Sequence, residues 1–199
     1  MAFDMNPELE LLVYPKKIYS GEEVLSDIHL VPKKPGIYAW FFTDLLPLVP
    51  TSDCIEQDKL KLLYIGIAPR KPTKEGSISK STLRNRIIYH YKGNAYGSTL
   101  RLTLGCLLSE KLDIHLRRVG KRGRRMNFTQ EGEHRLSCWM EKNAFVTWIE
   151  REYPWELEKI ALKEISLPFN LKGNKHHPFY NTLKVIRRRA RDQARKAFS

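Results

Sequence analysis

Two short apolar runs constrain the fold of this chain more than any other feature. Residues 35–42 read Pro-Gly-Ile-Tyr-Ala-Trp-Phe-Phe, and residues 60–67 read Leu-Lys-Leu-Leu-Tyr-Ile-Gly-Ile. Runs of this length that are rich in branched and aromatic side chains favour β-strands. Each run contains a tripeptide of glycine, isoleucine and tyrosine, Gly36-Ile37-Tyr38 in the first and Tyr64-Ile65-Gly66 in the second. The sequence therefore predicts two strands that carry a similar motif.

The rest of the chain alternates between helix and strand patterns. Ser81 or Thr82 is expected to cap a helix that runs to about residue 91. Further elements are expected as a helix over 98–108, a hairpin or exposed loop over 117–129, a helix over 132–142, a strand over 145–149, and helices over 154–166 and 178–198. This order predicts an α+β fold in which helices flank a small antiparallel β-sheet.

The length of 199 residues fits one domain with a full core. We expect residues 1–32 to form an N-terminal extension, residues 33–185 the globular domain and residues 186–199 a basic helical tail.

The charge balance indicates a polyanionic partner. Lys and Arg number 35 against 22 Asp and Glu, a formal net charge of +13. Clustered positive charge neutralises phosphates and releases counterions, although a merely solubilising surface would have the same composition. The residues expected to contact a nucleic-acid backbone are Arg70, Lys71, Lys74, Arg84, Arg117, Arg118, Lys121, Arg122, Arg124, Arg125, Arg187, Arg188 and Arg189. Such contacts give affinity but read no base sequence.

Several classes of protein are disfavoured. The three cysteines are an odd number without a paired spacing, which argues against a disulfide framework or a zinc site. The first residues lack a secretory signal pattern, and the most apolar stretch is too short to cross a bilayer. We therefore expect a soluble, intracellular, cytoplasmic protein with no membrane partner and no small-molecule cofactor.

A polar pair lies on the helix after the second run. Arg86 and His90 are four residues apart and so share one helix face. Arg84 is a competing candidate, but no histidine follows it one turn later. The neighbouring apolar positions Leu83 and Ile87 would dock the helix on the sheet, which brings the polar pair to the edge of a packed surface.

A carboxylate and an amide lie later in the chain. Glu158 follows Leu157 on the helix predicted over 154–166, and Asn170 ends the turn Leu167-Pro168-Phe169-Asn170. Glu156 and Glu164 on the same helix are alternatives, since most helix glutamates are solvated charges.

Taken together, the two tripeptides, the Arg86/His90 pair and the Glu158/Asn170 pair resemble the GIY-YIG nuclease family. The pattern is closest to the stand-alone members that resemble restriction endonucleases. The resemblance covers roughly residues 33–185 and leaves an insertion at about 105–150 between the arginine and the glutamate.

The resemblance implies a role for each matching position. Glu158 would bind the metal, Mg²⁺ or Mn²⁺ with one ion per active site, and Arg86 would stabilise the phosphate. Tyr38 would act as base or position the water, assisted by His90, and the choice between these two as proton acceptor stays open. Tyr64 would hydrogen-bond within the site.

The remaining implied roles concern the shape of the site. Asn170 would fix its local geometry, and Gly36 and Gly66 would permit close backbone approach. Tyr38 and Tyr64 could equally be cross-strand core aromatics.

The implied activity is that of a magnesium-dependent endonuclease that hydrolyses phosphodiester bonds in duplex or branched DNA. Restriction-like cleavage is one expectation. The alternatives are a structure-specific nuclease of repair or recombination and a catalytically silent nucleic-acid-binding module. A homodimer would allow one site per chain to cut both strands.

Overall fold

A computed structural model describes residues 5–43, 48–73, 75–77, 79–119 and 125–196 of the chain. The elements are, in order, α1 (Pro7–Val13), α2 (Gly21–Ser26), a 3₁₀ turn (Ile28–Leu30), β1 (Gly36–Phe42), β2 (Glu56–Gln57), β3 (Leu60–Ala68), α3 (Leu83–Lys92), α4 (Thr99–Leu107), α5 (Ser109–Leu112), β4 (Arg117–Val119), β5 (Arg125–Asn127), α6 (Gln130–Asn143), β6 (Ala144–Glu150), α7 (Pro154–Glu164) and α8 (Tyr180–Lys196).

The two motif strands pair with each other at the centre of the main sheet. This sheet has the order β2-β3-β1-β6, and each of its pairs is antiparallel. In the register between β1 and β3, Tyr38 lies opposite Gly66 and Trp40 lies opposite Tyr64. Directly opposed residues share a face of the sheet, and so do residues two apart along one strand. Tyr38 and Tyr64 therefore project from the same face. The small antiparallel sheet with its flanking helices confirms the predicted α+β fold.

Each face of the sheet supports its own layer of buried side chains. On the face of the two tyrosines, Trp40 and Phe42 pack with residues of α3, α4, α6 and α8. On the opposite face, Ile37, Ala39 and Phe41 pack with residues of α1 and α7. Helix α3 thus lies on the tyrosine face, while α7 covers the other face.

Helix α3 follows the pattern predicted for it. Thr82 is its N-cap, and its side chain accepts a hydrogen bond from the backbone N–H of Asn85 at 3.3 Å. Leu83, Ile87 and Tyr91 form a fully buried stripe. Burial of an apolar side chain of this size stabilises a fold by about 1.5–3 kcal/mol. This stripe fixes the orientation of α3 and so determines where its polar residues lie.

The first 32 residues contain more structure than the sequence analysis predicted. The short helices α1 and α2 begin at the N-caps Asn6 and Ser20. Leu9 and Leu12 of α1 are fully buried in the core layer beneath α7. An isolated bridge also pairs Tyr19 with Val146 of β6. The division of the chain into extension, domain and tail stays a prediction.

The segment that was expected to be an insertion, residues 105–150, contains α5, β4, β5, α6 and β6, and β6 is an edge strand of the main sheet. The strands β4 and β5 pair as a hairpin, as predicted for residues 117–129. The residues at its tip, 120–124, lie outside the described part of the chain. Helix α6 follows and packs against α2 and α3.

Over the described ranges, no helix combines the length and the apolar content that crossing a bilayer requires.

Candidate active site

A pocket of about 330 Å³ gathers most of the predicted catalytic side chains. It lies beside β1 and β3 and is bordered by α3, α4, α7 and α8. Five of the six predicted catalytic residues line it, namely Tyr38, Tyr64, Arg86, Glu158 and Asn170. The sixth, His90, is fully buried behind Tyr38. Residues that are up to 132 positions apart in sequence therefore meet around one cleft.

The two motif glycines allow close contacts next to the pocket. A Cβ atom at Gly66 would fall on the hydroxyl and ring of Tyr38, so only glycine lets this ring lie across β3. A Cβ atom at Gly36 would collide with the carbonyl oxygen of Ile149 and with Leu83. Gly36 thus permits the tight packing of α3 over the start of β1.

A chain of hydrogen bonds leads away from Tyr38. The Tyr38 hydroxyl lies 2.8 Å from Nε2 of His90, and Nδ1 of His90 lies 2.7 Å from Oγ of Ser98. Ser98 is the N-cap of α4, and its Oγ also accepts a hydrogen bond from the backbone N–H of Arg101 at 3.0 Å. The sequence pattern indicates Ser98 only as the start of the helix expected over 98–108 and gives it no role in the site, although a serine directly before a helix is a recognisable cap.

Burial sets the protonation of the hydrogen-bonded groups Tyr38 and His90. The pKa of Tyr38 is raised well above its ordinary value, chiefly by burial and then by neighbouring Tyr64, while Arg86 opposes the shift. The pKa of His90 is lowered well below its ordinary value, chiefly by burial and then by the positive charges of Arg86, Arg101 and Arg70. At neutral pH the site therefore holds a neutral phenol against a neutral imidazole.

Arg86 borders both tyrosines. Its Nη1 donates a hydrogen bond to the carbonyl oxygen of Gly97 at 3.1 Å, which orients the guanidinium at the pocket. The Tyr64 hydroxyl lies 3.3 Å from Oγ1 of Thr99, the first residue of α4. Burial raises the pKa of Tyr64, and Arg86 acts in the opposite direction. The start of α4 thus contacts both tyrosines, Tyr38 through His90 and Ser98 and Tyr64 directly.

Glu158 supplies the one carboxylate among the described residues that line the pocket. Burial raises its pKa, while Lys172 and Arg70 act in the opposite direction. The two alternative glutamates lie elsewhere: Glu156 is exposed and accepts a hydrogen bond from Arg151 at 3.3 Å, and Glu164 is exposed.

The donor set has a consequence for metal binding. Across the described ranges, no three His, Cys, Asp or Glu side chains are grouped to hold a metal ion. Mg²⁺ is commonly held by one or two carboxylates plus substrate phosphates, and it keeps several of its waters. One half-buried carboxylate, Glu158, at the edge of this cleft fits that preference.

Asn170 lies at the outer edge of β3. Its Nδ2 donates to the carbonyl oxygen of Ile65 at 2.8 Å, and its Oδ1 accepts from the Ile65 N–H at 3.0 Å. Asn174, another residue that sequence analysis missed, donates to the carbonyl oxygens of Leu167 and Asn170. The turn is therefore fixed in place, and the strand residue between Tyr64 and Gly66 is held on both of its polar groups.

The predicted nucleic-acid contacts separate into three groups. Arg70, Lys71 and Arg187 line the pocket. Arg84, by contrast, donates a hydrogen bond to the carbonyl oxygen of Val31 at 2.6 Å and does not line the pocket. The others that the structure describes lie on the β4–β5 hairpin or on α8: Arg117, Arg118, Arg125, Arg188 and Arg189. Lys74, Lys121, Arg122 and Arg124 lie outside the described residues.

Comparison with known families agrees with this geometry. The sequence profile of the GIY-YIG catalytic domain matches residues 36–189, well over half of the chain. The protein therefore belongs to the GIY-YIG family, a family of nucleases that generally use divalent metals. No curated protein and no solved structure matches the chain significantly.

Proposed function

We propose that this protein is a magnesium-dependent endonuclease that hydrolyses phosphodiester bonds in DNA. The observation that carries the proposal is the meeting of Tyr38, Tyr64, Arg86 and Glu158 around one pocket. Mn²⁺ is the expected substitute for Mg²⁺. Both ions prefer oxygen ligands.

The charges in the pocket suit the electrostatics of the reaction. Hydrolysis of a phosphodiester increases the negative charge on the non-bridging oxygens of the phosphate. The Arg86 guanidinium is suited to bind two of those oxygens at once. Glu158 would hold a single Mg²⁺, which when bound neutralises charge on the phosphate and on the leaving oxygen.

The hydrogen bonds suggest the path of the proton. His90 is fully buried and does not line the pocket, so a water at the phosphate meets Tyr38 and not His90. As the water oxygen attacks phosphorus, its proton passes to Oη of Tyr38, and the proton of Tyr38 passes to Nε2 of His90. The leaving oxygen takes a proton from solvent. Tyr38 is then the group that contacts the water, and His90 is the final acceptor.

Substrate binding favours this transfer. Two of the causes that lower the pKa of His90 are the charges of Arg86 and Arg70. A bound phosphate would offset both charges, so it would make His90 more basic when the proton has to move.

Side chains outside the reaction centre support the geometry and the affinity. Asn170 holds the backbone of Ile65 between the two motif residues Tyr64 and Gly66. Arg70 and Lys71, exposed at the rim, are placed to bind phosphates of the strand. Arg188 and Arg189 on α8, also exposed, extend the basic surface.

The direct test is cleavage of supercoiled plasmid in Mg²⁺. Glu158→Gln and Arg86→Ala should each lower the rate about a hundredfold or more, because each removes a group that stabilises transition-state charge. Glu164→Gln, an exposed glutamate on the same helix, is the matched control and should cut at the wild-type rate. Near wild-type cleavage by either site variant, or full cleavage in EDTA, would refute the proposal.

The substrate is best identified with a panel of plain, nicked, flapped and forked duplexes. Discrete products from plain duplex would indicate restriction-like cleavage, and products from junctions alone would indicate a structure-specific nuclease. Binding without any product would indicate a silent module. Because each chain contributes one site, sedimentation with and without DNA would test the expected homodimer.

A further inference from the structure

Arg187 is a buried cation that has no anionic partner among the residues that the structure describes. It lies on α8, and only 8% of its surface is exposed. Its Nη1 makes one long hydrogen bond, 3.4 Å to Oγ1 of Thr103. Its Nε is buried and has no hydrogen-bond partner in the described part of the chain. Among the described residues no carboxylate lies within ion-pair distance of this guanidinium.

A buried charge of this kind normally acquires a partner. Burial of an ionised group is costly unless it is paired and hydrogen-bonded. Here burial, together with neighbouring Arg191, lowers the pKa of Arg187. The arrangement is therefore one that an anion from outside the protein would stabilise.

The place where an anion could enter is the candidate active site. Arg187 lines the same pocket as Tyr64 and Thr99. Of the described residues around this pocket, five are basic, namely Arg70, Lys71, Arg86, Lys172 and Arg187, and one, Glu158, carries a carboxylate. Such an excess of positive charge suits more than one phosphate group.

We propose that Arg187 binds a second phosphate of the cleaved strand, next to the scissile one. The inference rests on the proposed nuclease function and names a substrate contact within it. Arg86 projects from α3 and donates to the carbonyl oxygen of Gly97, whereas Arg187 projects from α8 and bonds to Thr103 of α4. Arg187 therefore lies on the α4–α8 side of the pocket.

The first test separates substrate binding from the chemical step. Arg187→Gln should raise KM about tenfold and leave kcat within about twofold, as for loss of one charge-assisted contact that is made equally in ground and transition states. The matched control is Arg195→Gln, which removes the same charge from an exposed residue of the same helix that pairs with Asp192 at 2.7 Å. If Arg187→Gln behaves like Arg195→Gln, or lowers kcat alone, the inference is wrong.

The second test identifies the phosphate. Oligonucleotides would carry one neutral methylphosphonate on either side of the mapped cleavage position. At one of these positions the neutral group should weaken cleavage by wild type and by Arg195→Gln equally, and it should cost Arg187→Gln nothing further. Equal losses in all three proteins at both positions would overturn the assignment.

The third test does not depend on cleavage. Inorganic pyrophosphate should raise the Tm of wild type and of Arg195→Gln, and it should raise the Tm of Arg187→Gln clearly less, because only the other basic side chains of the pocket remain to bind it. If the wild-type protein cuts nothing, the nuclease proposal is rejected. The difference in Tm between wild type and Arg187→Gln would still support an anion site at Arg187. An equal shift in all three proteins would reject the anion site whether or not the protein cuts DNA.

If Arg187 served only the fold, its replacement would lower the Tm, whereas the proposed anion site predicts the opposite. Without added anion, Arg187→Met should have a Tm equal to or above that of wild type, because an apolar group replaces an unpaired buried charge. A lower Tm for Arg187→Met would mean that Arg187 serves the fold, and the inference would fail.

Discussion

Two buried arginines of this protein differ in how their charges are compensated. Arg101, on α4, is fully buried, and its guanidinium contacts Glu133 of α6 at 2.6 Å. It also donates to the carbonyl oxygens of His90 and Tyr91, at 3.2 and 2.8 Å, and to Ser137 at 3.0 Å. Arg187 makes one bond of 3.4 Å and no ion pair with a described residue.

The difference distinguishes a framework region from a substrate region. Around Arg101 the protein supplies every partner itself, and the contacts join α3, α4 and α6 at the carbonyl group of His90. Around Arg187 the groups face a cleft with an excess of positive charge. A framework residue should be costly to remove for stability, whereas a pocket residue should be costly for activity and cheap or favourable to replace for stability.

The largest effect on stability should come from Arg101→Met. This change leaves Glu133 as a half-buried charge without its partner and removes hydrogen bonds from two backbone carbonyl groups. Breaking a buried ion pair by removing one member costs about 3–5 kcal/mol. Urea unfolding of the metal-free protein would measure the loss.

The matched control for this change is a surface ion pair. Arg135→Met removes a partner of Glu131 at the exposed face of α6, and it should cost less than about 1 kcal/mol. If the two variants lose equal stability, the contrast between an internally satisfied framework and an open pocket does not hold.

A smaller loss of stability is expected for Asn170→Ala. Both polar backbone groups of Ile65 would lose their partner, and a buried unsatisfied group costs about 1–3 kcal/mol. Cleavage should fall as well, because the strand between Tyr64 and Gly66 would no longer be fixed. Asn143→Ala, which removes a bond to the carbonyl oxygen of Trp139 and an exposed bond from Oγ1 of Thr43 at the end of α6, is the control for thermal unfolding and plasmid cleavage. Full activity of Asn170→Ala would place Asn170 outside the positioning of the site.

Sequence patterns predicted those parts of the fold that local chemistry encodes. The β-strand preferences of residues 35–42 and 60–67 predicted β1 and β3, and the spacing of Leu83 and Ile87 predicted the docked face of α3. The Arg86/His90 spacing, together with the family resemblance, indicated which polar groups lie near the sheet. The structure places Arg86 at the cleft and buries His90 behind Tyr38, while the catalytic roles of both stay predictions.

Other features depend on contacts between distant segments. From the sequence alone, a basic tail helix is expected to be solvated. The burial of Arg187 depends on the packing of α8 against α4, which the local sequence does not encode. The contact of Ser98 with His90 and of Thr99 with Tyr64 likewise needs the fold to bring α4 under the sheet. Helices as short as α1 and α2 carry too little periodicity to be recognised.

The smallest effect concerns Glu158 and pH. Burial raises the pKa of Glu158 in the folded protein above its value of about 4.3 in an unfolded chain. The folded state therefore holds this proton to higher pH than the unfolded state does, and the stability that Glu158 contributes is lost as the pH rises through its folded pKa. Without metal, Glu158→Gln should thus have a higher Tm than wild type at pH 7.5, and the difference should vanish at pH 4. Glu164→Gln replaces an exposed carboxylate and should have the Tm of wild type at both pH values. A Glu158→Gln variant less stable than wild type at pH 7.5 would mean that Lys172 and Arg70 already compensate the charge of Glu158. That outcome would contradict the contrast between pocket and framework.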